Sequence, residues 1–257
     1  MNSLHLKKTE LFKFDGSGKY LSNFITVQKN LFYLDLSSSN LISSQAKLLA
    51  DGLMRAKQLE TIILKQNNDI GHQAMSSIIY NLAFSPRLKY IDISNNSYEG
   101  GHASVVESLY KLLRITGSLE TLIINNSKDL NTHLIKEFFI SLGEIQSLKH
   151  LDLSFSGQFT TAVITMVGKA IAFNSKKKGS LKIVNIQGCI PSFNELNALY
   201  NSMNISLADN EEWYGDANKL NKMTGNDFQK VFHNSLEVLK FSKSPNLKSN
   251  FNLAAFK

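Results

Sequence analysis

The nonapeptide Leu88-Lys89-Tyr90-Ile91-Asp92-Ile93-Ser94-Asn95-Asn96 has the form L-x-x-L-x-L-x-x-N, and its outline returns along the whole chain. Copies start at Leu31 (LFYLDLSSS), Leu59 (LETIILKQN), Leu119 (LETLIINNS), Leu148 (LKHLDLSFS), Leu181 (LKIVNIQGC) and Leu236 (LEVLKFSKS). From Leu31 to Leu181 the starts are 28, 29, 31, 29 and 33 residues apart. Self-similarity at such a period restricts the chain to architectures that stack one unit on the next. The step from Leu181 to Leu236 is 55 residues, so a degenerate copy is expected at residues 202–210, with Ile205, Leu207 and Asn210 on the diagnostic positions. Met1, Leu4, Leu6 and Phe12 fit the same register as an incomplete N-terminal copy, which brings the expected number of units to about nine.

Side chains alternate along a strand, so positions four and six of each copy point together into a core. Position nine turns the chain, and an asparagine there satisfies backbone groups of neighbouring turns. Asn67, Asn96 and Asn210 supply it, with Ser39, Ser127, Ser156, Cys189 and Ser244 as smaller stand-ins, so Cys189 reads as a structural turn residue. Position twelve adds a further inward apolar residue at Ile42, Ile70, Leu130, Phe159, Trp213 and Leu247, whereas Glu99 and Ser192 deviate with Tyr98 and Phe193 one place away. Between the strands, one-sided apolar periodicity predicts helices over 43–56, 103–113 and 131–142. Ser192-x-x-Glu195 reads as a capping box opening a short helix to Asn201, and residues 224–227 resemble another before Phe228.

A strand and a full helix in about 29 residues resemble the ribonuclease-inhibitor-like class of leucine-rich repeats. The resemblance implies one α/β solenoid domain over 1–257, a right-handed horseshoe with parallel concave strands inside and helices outside. The class includes ribonuclease inhibitor, the activator of the Ran GTPase, regulators of actin capping protein and the sensor arrays of nucleotide-binding immune receptors. Its shared residues build the coil, and function resides in the positions between them.

Positions three, five and seven face the concavity. Position three runs Tyr33, Thr61, Tyr90, Thr121, His150, Ile183, and position five runs Asp35, Ile63, Asp92, Ile123, Asp152, Asn185. With strands about 4.8 Å apart, Asp35, Asp92 and Asp152 are expected roughly 10 Å from one another, each beside a ring. Tyr33, Asp35, Tyr90, Asp92, His150 and Asp152, with Phe155, therefore form the candidate protein-binding strip, its carboxylates selecting a basic partner segment. The bland alternative is that each Asp hydrogen-bonds neighbouring Tyr or Ser side chains. Lys176, Lys177 and Lys178 sit in a rim loop, with Lys169, Lys182, Lys219 and Lys222 on that side, and would meet an acidic partner surface or simply a solvated loop.

The formal charge of +7 favours acidic partners, although a lysine-rich surface also serves solubility. No aromatic-studded groove accompanies the lysines, which argues against nucleic acid. The single cysteine excludes an internal disulfide framework, and no apolar run long enough for a membrane span or signal peptide is visible. The six histidines show no metal-ligand spacing, and no GxSxG, Walker or HExxH motif occurs. The expectation is thus a protein without catalysis, metal or cofactor. It binds protein partners as a cytoplasmic scaffold, a structural subunit of a cytoskeletal or ciliary (axonemal) assembly. Terminal coils without polar caps point the same way, to burial by partners or to a longer chain. The alternatives are a GTPase regulator of the Ran-activator kind and a bacterial effector of this fold that binds a host protein. Arg55, Arg87 and Arg114 precede strands rather than follow them, so no catalytic residue carries over from the former.

Overall fold

The computed structural model describes residues 1–98, 101–127, 136–190, 192–207 and 238–240. Strands and helices alternate as β1 (Ser3–His5), α1 (Ser17–Val27), β2 (Tyr33–Asp35), α2 (Ser43–Arg55), β3 (Thr61–Ile63), α3 (His72–Leu82), β4 (Tyr90–Asp92) and α4 (His102–Ile115). They continue as β5 (Thr121–Ile123), α5 (Lys136–Glu144), β6 (His150–Asp152), α6 (Thr161–Lys176), β7 (Ile183–Asn185), α7 (Phe193–Leu207) and β8 (Val238–Lys240). The eight strands form one open parallel sheet in sequence order, consistent with a leucine-rich-repeat arrangement.

Pairing keeps the repeat register without a slip: Tyr33 lies beside Thr61, Thr61 beside Tyr90, Tyr90 beside Thr121 and Thr121 beside His150. The ladder extends past each strand. Leu36 N–H donates to Ile63 O at 2.8 Å, and Ser38 N–H, already in the turn, donates to Lys65 O at 2.8 Å. Positions one, four and six, such as Leu59, Ile62 and Leu64, are wholly buried and meet the inner faces of the helices, for example Ala46, Leu49 and Leu53 of α2. Burying that much aliphatic surface in every unit is the main force holding unit to unit.

Position eight is left-handed in every unit from the first to the seventh, at Lys8, Ser38, Gln66, Asn95, Asn126, Phe155 and Gly188. This turn lets position nine fold back under the sheet. Asn67 Oδ1 there accepts from the N–H groups of Ser39 and Leu41, both at 3.1 Å, and its Nδ2 donates to Leu36 O at 2.9 Å and Leu64 O at 3.0 Å. Cys189 takes the same place, with its Sγ donating to Leu153 O at 3.3 Å, as expected of a turn residue.

The structure corrects several sequence expectations. Residues 202–207 do not form a strand but complete α7, and β7 pairs directly with β8 through Val184 and Leu239. The degenerate copy read there is therefore helical as far as Leu207, its remainder with Trp213 and Asn210 lies outside the described residues, and the described strands number eight. Ile205 and Leu207 mimicked a strand because two apolar residues two apart also occur on a helix. Residues 1–30 are not fragmentary: β1 pairs with β2 and α1 follows. Ile42 is 39% exposed at the start of α2, while Leu41 fills the core in its place. Helices α2 and α4 lie within two residues of expectation, whereas α7 is longer and α1, α3 and α6 were not foreseen. The expected helix over 131–142 is observed from Lys136 to Glu144, its first residues lying outside the described ones. Leu130, Ser244, Leu247, Lys219, Lys222 and the box at 224–227 also lie outside the described residues.

Candidate protein-binding face

Side chains at positions three and five leave the sheet on the face without helices, since positions four and six are committed to the core. Tyr33, Tyr90 and His150 are each partly exposed there and stand in one row with Thr61 and Thr121 between them. His5, which the sequence reading left out of the strip, extends it, with its ring centroid 4.7 Å from that of Tyr33. Burial first, and Asp35 second, raise the pKa of the Tyr33 phenol. Tyr90 is raised by burial, then by Asp92, Tyr33 and Asp152. Both phenols therefore remain protonated donors at neutral pH.

The carboxylates behave differently from a set of exposed selectors. Asp35, Asp92 and Asp152 are only 7%, 8% and 9% exposed. In each, Oδ1 accepts the backbone N–H two residues ahead, from Ser37, Ser94 and Ser154, at 2.9 Å. The hydroxyls of Ser37 and Ser154 donate to the same oxygens. Asp152 Oδ2 also accepts from Asn125 Nδ2 at 3.3 Å and Asn185 Nδ2 at 3.1 Å. These aspartates hold the strand-to-turn corner, which is the local role weighed as the alternative in the sequence. The signal was present: every Asp at position five is followed by Ser at position seven. By the same register Lys7 and Lys65, at position seven of their copies, share this face with the three carboxylates, so its charge is mixed.

Phe155 lies beside this row at the edge where strands turn toward helices. It is 54% exposed and holds a left-handed backbone at φ 56°, a conformation that costs a bulky side chain energy. Its ring occupies the space over Gly188, where an added Cβ would come within 2.6 Å of the Phe155 ring. An exposed aromatic held in a strained turn is a rigid anchor of the kind interfaces use.

Lys177 and Lys178 lie at the opposite edge, at the end of α6, both exposed; Lys176 is the last residue of that helix. Lys177 Nζ sits 4.6 Å from the Phe173 ring centroid. Lys182 begins the next unit on the same edge, while Lys169 lies in the middle of α6 and does not join them.

Cys189 is buried, and its thiol is pushed up to about 11 mainly by that burial. A shallow groove between α3 and α4 is lined by His72, Gln73, Ser76, Gly101 and Ser104, and His72 packs against Gly101 so closely that a methyl there would overlap its ring. Among the described residues no cluster of His, Cys, Asp and Glu is arranged to hold a metal ion, and no helix is long and apolar enough to cross a membrane.

No protein-family model and no curated protein matches the chain. Among solved structures, the C-terminal domain of tropomodulin from Caenorhabditis elegans is similar, with 15% identity and a TM-score of 0.42 over 61% of this chain and 92% of that chain.

Proposed function

We propose that this chain is a non-catalytic scaffold of the ribonuclease-inhibitor-like repeat class that binds a protein partner through the helix-free face of its sheet. The observation that carries the reading is the row of Tyr33, Tyr90 and His150, held in unbroken register on a sheet whose aspartates are tied down by their own turns. Such a surface offers donors and ring faces already fixed in place, so a partner loses little ordering entropy on this side. The carboxylates of Asp35, Asp92 and Asp152 along this row favour a partner segment carrying Lys or Arg. The placement in a cytoskeletal or ciliary assembly belongs to the same proposal and rests on the sequence alone.

Affinity capture from the native source tests it, with wild type beside a Tyr33→Ala, Tyr90→Ala, His150→Ala variant whose fold is checked by circular dichroism. The proposal expects a partner held by wild type and lost by the variant. Equal capture by both would overturn the assignment of the face.

A further inference from the structure

Where each helix ends and the next strand begins, the units present a second continuous edge. On four successive units it exposes one large apolar residue: Val27 (68%), Met54 (47%), Phe84 (38%) and Ile115 (47%). Beside them stand the only three arginines of the chain, Arg55, Arg87 and Arg114, all exposed, with Lys29 also exposed in the first of these loops. None of the arginines forms an ion pair among the described residues. The carboxylates of Glu60 and Glu120 on this edge are already paired, with Lys89 at 2.8 Å and Lys149 at 2.9 Å. The edge therefore carries an excess of free positive charge.

Basic residues in a last helical turn complement the helix dipole, which accounts for Arg55 and Arg114. That effect explains neither Arg87 and Lys29, which lie in loops, nor the row of exposed apolar side chains. A soluble surface rarely aligns such residues without covering them. We propose that this helix-to-strand edge is a docking surface for an acidic protein segment bearing apolar side chains, separate from the helix-free face of the sheet. The segment's carboxylates would meet the arginines while its apolar residues cover Met54, Phe84 and Ile115. Phe84 is the one ring in this row, and Val27, Met54 and Ile115 add no stacking platform for successive bases. Glu60, Glu120 and Glu144 in the same line suit a protein better than an anionic membrane.

Fluorescence anisotropy on the full chain tests this with a labelled amphipathic peptide of glutamate and leucine. The expected result is binding that weakens as salt rises and falls by about tenfold or more in an Arg55→Glu, Arg87→Glu, Arg114→Glu variant. A milder Arg87→Ala, Arg114→Ala pair should lose less in the same direction, which guards against misfolding of the triple variant. Met54→Ser, Phe84→Ser, Ile115→Ser should also weaken binding. The Tyr33→Ala, Tyr90→Ala, His150→Ala variant should bind the peptide like wild type, so failure of this proposal is distinguishable from failure of the sheet-face reading. Absence of peptide binding, or binding indifferent to the edge variants, would overturn the proposal. So would attachment to phosphatidylserine vesicles or to a single-stranded RNA in place of the peptide.

Discussion

The backbone N–H of Asn67 donates to Oδ1 of Asn96 at 2.7 Å, so the turn of one unit is fastened to the asparagine of the next. Asn67 in turn serves Ser39 and Leu41 of the preceding unit, and both asparagines are nearly inaccessible, at 1% and 3%. Replacing Asn67 by Ala strands several buried donors and acceptors and is expected to cost about 3 kcal/mol. Asn67→Ser should cost less, because serine fills this position at Ser39 and Ser156. The midpoint of chemical denaturation, at unchanged slope, measures both.

The aspartates should prove structural, and unequally so. Asp152→Ala removes the acceptor for Ser154, Asn125 and Asn185, whereas Asp35→Ala releases only Ser37. Both variants should be destabilised, Asp152→Ala by about 1 kcal/mol more. Thermal unfolding of the pair provides the comparison, and equal losses would argue against the side-chain network around Asp152.

The Cys189 thiol, raised to about 11 from 9.0, gives a defined alkaline signature. Its proton is held more tightly in the folded state, so the stabilisation is full below about pH 9 and is lost as pH rises through about 11. That displacement corresponds to about 3 kcal/mol at most. Tyr98, wholly buried and raised in the same direction, adds to the decline in wild type and variant alike. Urea unfolding at about pH 8 and about pH 10.5 should show a larger alkaline loss for wild type than for Cys189→Ser. At neutral pH the thiol should react with a disulfide reagent only after unfolding.

Phe155 and Gly188 should be coupled. Gly188→Ala places a methyl against the Phe155 ring at a φ of 75°, and is expected to cost about 1–2 kcal/mol. Phe155→Asn relieves a left-handed position and should stabilise by about 0.5–1 kcal/mol while weakening partner binding. In the double variant the penalty of Gly188→Ala should shrink, since the ring it strikes is gone.

The register of strands was legible in the sequence because positions four and six must both be buried, and one residue of slip would expose Leu34 and Leu36 together. The interval after Leu181 misled for the same reason: Ile205 and Leu207 satisfy a spacing test that a helix passes as easily. Ile42 and Leu41 are adjacent apolar residues, and only the geometry of the turn decides which enters the core. The exposure of the candidate site was the least readable property. Position five points outward by register, yet Asp35, Asp92 and Asp152 bend back onto their own turns, because a carboxylate two residues before a free N–H finds its acceptor role locally. The sequence reading caught one corner of the charged edge at Lys176, Lys177 and Lys178 and placed Arg55, Arg87 and Arg114 before strands, but these arginines lie about 30 residues apart and align only when units stack.

The most direct measurement is site-specific photocrosslinking with p-benzoylphenylalanine placed at Thr121, between Tyr90 and His150, or at Ile140, exposed on α5. With the captured partner present, the account requires an adduct from position 121 and none from position 140. An adduct from position 140 alone would contradict it and move the interface to the helix layer.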